Sequence, residues 1–467
     1  MSNLVKNTSY FSLALVIQKV ISFIFFSYLA ARLGATSLGY YNYAISFAAM
    51  FSILVDWGLA NLLTRDIAQD KTRAQNYFSR ALGLKIIWSL ITYGLVIAII
   101  FIISDSALTR ELVIMTGVLM LLDSFTLIFY SVWRGFQNLA YESFATICFQ
   151  VIYAASGFIL LQLTSDLKII MLALFGASLF NFIYSSCLLR FKGHILLKPI
   201  FAWPALKSLY LLALPFGLAG IFSKIYAYTD VILVNQFLGP TQTGFYSLAY
   251  KLTFTLQFIP LALIAGLYPA LALYLKKEKE ILEDIYFSSI KYLLILSLLA
   301  SALIFTFGHN VIEAIYGQKF LPSTPILIIL MLSLPFLFVN FTFGSLLNAS
   351  GRALRQTWHI GWTAAVNIIL NIIFIPLFGI MGAAATSLFC TILLFSLNGL
   401  VARRIISLSK PHLKQIGRLI ILTLIIILLN QFVPSHYSWI IKALIFVLLY
   451  LFGLFACQII RWQEITN

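Results

Sequence analysis

The chain has 467 residues, 61% of them hydrophobic and 10% charged, with a formal net charge of +16. Soluble domains carry about 25% charged residues, so the composition excludes a soluble globular protein. The basic excess would suit a nucleic-acid binder, but its distribution along the chain argues against that reading.

Apolar runs of about 20 residues, the length a helix needs to cross a bilayer, recur from end to end. Fourteen spans are predicted. The first six fall at roughly 9–32, 40–63, 81–103, 111–132, 144–163 and 168–189. The next six fall at roughly 209–238, 243–275, 286–307, 325–349, 357–377 and 380–402. Two more follow at roughly 419–433 and 437–460. The short alternating segments of a membrane β-barrel do not occur, and no interval between spans is long enough for a soluble domain. The first run, after Lys6, is too long for a signal-peptide core and lacks a small-residue cleavage site, so it is read as a retained helix.

With the N-terminus in the cytoplasm, 21 of the 31 lysines and arginines fall in cytoplasmic segments. Four (Arg32, Arg110, Lys168, Lys319) fall in outer segments and six lie within spans. This is the positive-inside asymmetry. It implies that both termini are cytoplasmic and accounts for the charge without nucleic acid as a partner.

The four cysteines, Cys148, Cys187, Cys390 and Cys457, sit in apolar runs with no histidine or second cysteine at ligand spacing. They are read as packing residues, and no metal site is expected.

An internal repeat organises the chain. Leu33-Gly34-x4-Gly39-Tyr40-Tyr41-x2-Ala44 recurs 205 residues later as Leu238-Gly239-x4-Gly244-Phe245-Tyr246-x2-Ala249. The same offset sets Lys19 on Lys224, and a weaker match sets Ser131–Gly135 against Ser345–Ala349. Each copy holds six helices, so both begin on the cytoplasmic side. The expected relation is an axis along the membrane normal, with a transport path at the interface. The expected organisation is an N-terminal lobe over 1–200 (helices 1–6), a C-terminal lobe over 201–405 (helices 7–12) and two extra helices, 13 and 14, over 406–467. The fold class is all-α integral membrane.

Three stretches carry a family resemblance: Arg32-Leu33-Gly34 through Asp66, Pro215 through Leu271, and Tyr316-Gly317 through Ala385. The last includes Leu347-Asn348-Ala349-Ser350-Gly351-Arg352 and Pro376-Leu377-Phe378-Gly379-Ile380-Met381-Gly382-Ala383-Ala384. They resemble the polysaccharide-export branch of the multidrug/oligosaccharidyl-lipid/polysaccharide (MOP) flippase superfamily, which includes the Wzx-type O-antigen flippases. The resemblance implies a MATE-like fold of two six-helix lobes around a cavity that opens alternately to each side. It also implies an undecaprenyl-pyrophosphate-linked oligosaccharide as substrate, a bacterial inner membrane as location, and polysaccharide polymerase and chain-length proteins as partners. It leaves coupling to a proton or sodium gradient open and calls for no cofactor.

Such a substrate needs a wet, partly cationic cavity for its head, because buried unpaired charge and unmatched hydroxyls are costly. Charged residues inside the spans are therefore the candidates. Lys19 and Lys224, matched by the repeat, are read as pyrophosphate contacts; lysine binds phosphate as a mobile point charge. Asp56 lies at a depth similar to Lys19, which leaves a structural pairing of those two open. Asp230 and Lys251 lie symmetrically about the turn near Pro240–Thr241, so they are read as an ion pair or a gate. Asp123, mid-span with no evident partner, is the candidate ion-coupling site. Lys85, Lys291 and Lys442 stand near predicted helix ends and are expected to snorkel to the interface. Arg352, Arg355 and His359 share a helix face and, with Arg134, form a candidate cytoplasmic entrance. Pro215, Gly217 and Gly220 weaken the helix they occupy, as a hinge or a fixed kink. The terminal helices, from about Arg418 to Ile460, either line a groove for the polyprenyl tail or add bulk.

There is no P-loop and no HExxH motif, and nothing suited to bond-making chemistry, so a transporter rather than an enzyme is expected. The alternatives are a cation-coupled multidrug exporter or a lipid II flippase of the same superfamily. A polytopic glycan polymerase is the competitor from another class; it should carry a large outer loop, and the longest here, roughly 308–324, is short.

Overall fold

The computed structural model describes residues 2–275, 279–406, 409–434 and 437–460. Lys276, Lys277 and Arg461, counted above as cytoplasmic basic residues, lie outside them. Among the described residues there are helices and no strands, as lipid demands of a spanning chain: every backbone N–H and C=O must find its partner within the segment.

In chain order the helices are α1 (Ser2–Asp56), α2 (Leu59–Gln69), α3 (Ala74–Ile103), α4 (Ala107–Gly135), α5 (Ala140–Leu163), α6 (Leu167–Phe191), α7 (Trp203–Thr255) and α8 (Phe258–Tyr274). Then come α9 (Lys279–Tyr316), α10 (Ser323–Leu332), α11 (Leu334–Ala349), α12 (Ala353–Phe378), α13 (Ile380–Ala402), α14 (Lys410–Leu429) and α15 (Trp439–Ala456). Twelve apolar helical stretches among the described residues are long enough to cross a membrane. Two of them, Ala14–Asp56 and Phe216–Ile264, run for 43 and 49 residues. Straight helices of that length would reach about 65 and 74 Å at 1.5 Å per residue, against a hydrocarbon core of about 30 Å. Each contains one glycine outside helical geometry, Gly34 (φ 75°, ψ 173°) and Gly239 (φ 81°, ψ 179°), and the second stretch also crosses the turn at Leu256–Gln257 between α7 and α8. The twelve stretches stand against the fourteen spans expected from the sequence, and these two long ones each cover two of the expected spans.

These two glycines are equivalent in the repeat and share a backbone conformation that a side chain resists. The break is narrower than the turn expected at Gly239–Thr243, because helix resumes at the following residue. Across the repeat the two bends touch. The Thr36 and Thr241 hydroxyls lie 2.8 Å apart, 205 positions from each other. A Cβ on Gly39 would strike the Pro240 carbonyl, and one on Gly244 the Ala35 carbonyl, which is the same contact with the copies exchanged.

The chain divides into two compact units, Met1–Ser247 with Asn367–Pro376, and Leu248–Val366 with Leu377–Asn467. In the first, α1, α4, α5 and α6 enclose a core built on Phe25, Leu29, Tyr43, Phe47 and Leu112. A second core, with Leu62, Ile67, Phe78 and Phe129, joins α2, α3 and α4. The expected unbroken span at 40–63 ends instead at Asp56. The chain turns through Trp57 (φ 46°) and Gly58 (φ 76°), and helix resumes at Leu59. Beyond α6 an extended segment is strapped to α3. Gln75 donates to the Leu196 carbonyl at 3.0 Å and accepts from the Leu196 N–H at 2.7 Å, and the Ile200 N–H reaches the Ser79 carbonyl at 2.9 Å.

In the second unit, α8, α9 and α11 share a core with Leu271, Tyr286, Val339 and Leu347. The terminal helices α14 and α15 pack on α9 through Leu419, Ile426, Phe446 and Leu454, and Tyr450 donates to the Ile295 carbonyl at 3.0 Å.

Candidate functional site

A cavity of about 400 Å³, with polar groups set in a largely apolar wall, lies within the first unit. α1 contributes Ile45, Ser52 and Asp56; α4 contributes Thr116, Asp123 and Ser124; α7 contributes Lys224 and Tyr228. Three ionisable side chains thus converge on a space bounded otherwise by aliphatic groups. Lys224 lies 5.4 Å from the Tyr228 ring centroid one helical turn along, a cation–π contact that leaves its ammonium without a carboxylate in ion-pair range among the described residues. Asp123 is exposed to the cavity, with the Ser178 hydroxyl nearby. That hydroxyl is buried and makes no hydrogen bond of good geometry, as does the Ser124 hydroxyl in the wall.

Asp56 closes α1 and accepts from Lys85 of α3 at 2.9 Å. This corrects the expectation that Lys85 snorkels: its side chain is 0% exposed. The physical reason is that α3 packs Lys85 inward against a carboxylate, where pairing offsets desolvation. Asp56 is accordingly held by Lys85, which displaces the pairing with Lys19 left open by depth alone. Lys291 is a second correction, buried against the rings of Phe287 and Tyr292 at 5.8 and 5.0 Å. Lys442 is half-buried.

Lys19 lies half-buried on α1 and is not among the residues lining this cavity. Asp230, 4% exposed, sits in a hydrogen-bonded nest of its own. It accepts from Asn367 at 2.9 Å and Asn371 at 2.7 Å, both on α12, and from the Tyr246 hydroxyl at 2.7 Å. The Asn371 Oδ1 is buried without a hydrogen bond. Lys251 belongs to the second unit, where it is half-buried.

Of the entrance residues, Arg134 is gripped through two nitrogens by Glu142, with Nε to Oε2 at 2.8 Å, beside the edge-to-face pair Trp133–Tyr141. In the second unit Arg352 and Arg355 stand at the start of α12, half-buried and exposed, with no ion pair among the described residues. His359, one turn further, is turned into the helix packing: its Nδ1 meets Asn398 Oδ1 at 2.7 Å, and Asn398 donates to Asn340 at 2.8 Å. Because Asn398 uses its amide nitrogen on Asn340, its oxygen accepts and His359 donates from Nδ1.

The backbone of α7 runs helically through Pro215, Gly217 and Gly220. The glycines are points of close approach. A Cβ on Gly217 would stand 3.0 Å from the Trp57 carbonyl oxygen, one on Gly220 would overlap Ile53, and one on Gly58 would collide with Phe216 and Gly217.

Sequence reasoning misplaced Lys85 and missed Glu142, Asn367 and Asn371. The asparagines did leave a signal: two amides four residues apart on an otherwise apolar helix share a face. The partners of Asp56 and Arg134 left none, since which helices touch is not written in the spacing.

The protein families and folds similar to this chain agree with one another. A family profile described as polysaccharide biosynthesis protein matches residues 4–275, and a second, MatE, matches 215–373. A probable low-salt glycan biosynthesis flippase, Agl15, of Haloferax volcanii is 23% identical over 81% of this chain and 78% of its own length. The capsular polysaccharide biosynthesis protein CapF of Staphylococcus aureus is 20% identical over 82% of this chain and 95% of its own. In fold, the chain is similar to the lipid II flippase MurJ in an inward closed conformation, with a TM-score of 0.80 at 16% identity over 97% of this chain and 99% of that one. An outward-facing MATE family multidrug transporter follows with a TM-score of 0.58 at 16% identity over 86% and 95%. The chain belongs to the polysaccharide biosynthesis protein family, within the flippase superfamily that its glycine motifs resemble.

Proposed function

We propose that the protein is a flippase that carries a polyprenyl-pyrophosphate-linked glycan across a membrane from the cytoplasmic face, by alternating access. The observation that carries this reading is Lys224: among the described residues its ammonium has no carboxylate in ion-pair range, and it lines a cavity between apolar helices. A diphosphate offers a counter-charge to such a group, and the Ser124 hydroxyl, in the cavity wall without a hydrogen bond, offers one to a sugar head. The second unit, considered by itself, holds an apolar cavity suited to a hydrocarbon chain. This cavity of about 610 Å³, lined by Leu294, Leu298, Phe336, Phe395, Ile420 and Leu424 among others, runs beside α14. The related glycan flippase and capsule protein named above support a glycan substrate.

Within this reading the first candidate is an undecaprenyl-linked O-antigen or similar surface-polysaccharide unit in a bacterial inner membrane. Both termini then face the cytoplasm, and a polymerase with its chain-length protein takes the product. Asp123 is the carboxylate placed to couple a proton or sodium ion, because it opens to the same cavity as Lys224. The test is complementation of a strain lacking its own flippase. Lys224→Ala should cut surface polysaccharide to about a tenth or less at equal protein level, the scale of losing one charge-assisted contact. Lys224→Arg should retain part of it. Unchanged export by the alanine variant would remove Lys224 from the mechanism.

A further inference from the structure

Two ammonium groups stand around one carboxylate in the first unit. Lys85 reaches Asp56 Oδ1 at 2.9 Å and has no exposed surface, so it cannot itself meet a ligand. Asp56 lines the cavity, its Oδ2 takes no hydrogen bond among the described residues, and Lys224 lines the same cavity. An unpaired carboxylate in such a wall would draw the nearest flexible cation, because a charge without a partner is costly there and lysine has a long mobile stem. Asp123 is a third group on the cavity, on a different helix, and supplies a constant background to any change at Asp56.

We propose that Lys85 is a positioning residue for substrate binding: by occupying Asp56 it keeps that carboxylate off Lys224, so Lys224 stays available to an anionic head group. This rests on the reading of Lys224 as the diphosphate contact. Lys85 acts at one remove, through Asp56, since it does not itself line the cavity. The arrangement leaves Lys224 to face the ligand while the acid beside it already has a cation. Without Lys85, Asp56 and Lys224 would form the pair instead, and the site would close on itself.

The experiment measures binding of farnesyl pyrophosphate to the full-length protein in detergent, with farnesol as the uncharged control and thermal unfolding run alongside. Lys85→Met should weaken diphosphate binding by about tenfold, and Asp56→Asn should tighten it by about threefold, as expected for gaining or losing a competing charge near the ligand. The double variant should return to within about threefold of the native protein. Opposite signs are the signature. If the pair were only a strut, both single variants would leave one buried charge alone, and both would lose affinity together with stability. Same-sign effects, or none, overturn the proposal. If Lys85→Met does not fold, Asp56→Asn decides alone, since weaker binding there contradicts the competition. Native protein that binds the probe no better than Lys224→Ala refutes the diphosphate reading itself and this inference with it. Failure of the inference alone leaves Lys224→Ala deficient.

Discussion

At the scale of single residues, what distinguishes the charged groups inside the spans is how each is satisfied. Asp56 has a lysine, Arg134 has Glu142, and Asp230 has Asn367, Asn371 and Tyr246 among its partners. Buried polar groups that lose a partner cost roughly 1–3 kcal/mol each. Asp230→Ala, which strips the acceptor from Asn367, Asn371 and Tyr246 at once, should therefore lower stability by roughly 3 kcal/mol or more. Asp230→Asn, which keeps an acceptor oxygen, should be markedly milder. Thermal unfolding of purified protein separates the two; equal and small shifts would mean the nest carries no structural weight. Asp230 was legible in the sequence as a charge that needed a partner. The asparagines that surround it come from α12, 137 and 141 positions away, a distance no local pattern spans.

At the scale of elements, the repeat is a contact as well as a resemblance. Gly34 and Gly239 adopt one backbone geometry, and the following residues meet across an approximate twofold at Thr36 and Thr241. Glycine is required at 39 and 244 because the opposing carbonyl occupies the place of a Cβ. Gly39→Ala and Gly244→Ala should therefore impair export to similar degrees, the symmetric outcome that a chance likeness would not give. Under the proposed alternating access, these bends are expected to part in each cycle. With Thr36→Cys and Thr241→Cys combined, oxidation should stop export and reduction should restore it. Continued export by fully crosslinked protein would show that the two bends never separate. The glycine spacing was readable because backbone conformation and close approach leave one permitted residue. The break at Trp57–Gly58 was not, since a hydrophobic run reads the same whether its helix is continuous or interrupted.

At the scale of the whole molecule, charge and the terminal helices make separate predictions. We propose, from the asymmetry of lysine and arginine, that both termini face the cytoplasm. A fluorescent protein fused at the C-terminus should therefore be bright, and alkaline phosphatase inserted after Lys319 should be active outside. The reverse pattern would overturn the assigned orientation. α14 and α15 share a core with α9, so they do more than decorate the second unit. Ending the chain after Arg404 would expose Ile295, Ala302 and Phe307 where those helices pack, and should reduce the yield of folded protein as well as transport. Folded yield can be read by size-exclusion profile.

What the sequence alone determined follows from constraints that act residue by residue. Lipid sets the length and apolarity of a span, translocation sorts basic residues to one side, and a crowded bend admits only glycine; each leaves a mark in composition or spacing. Membrane architecture, the repeat and the family were therefore legible. Only the tertiary structure decided which lysine reaches which carboxylate, that Lys85 is sealed while Lys224 is open, and that Asp230 is held by amides. Those outcomes depend on the rotation and contact of helices far apart in the chain. In a membrane, where lipid tails are as apolar as the helices themselves, packing detail and polar contacts choose those contacts, and hydrophobic pattern does not.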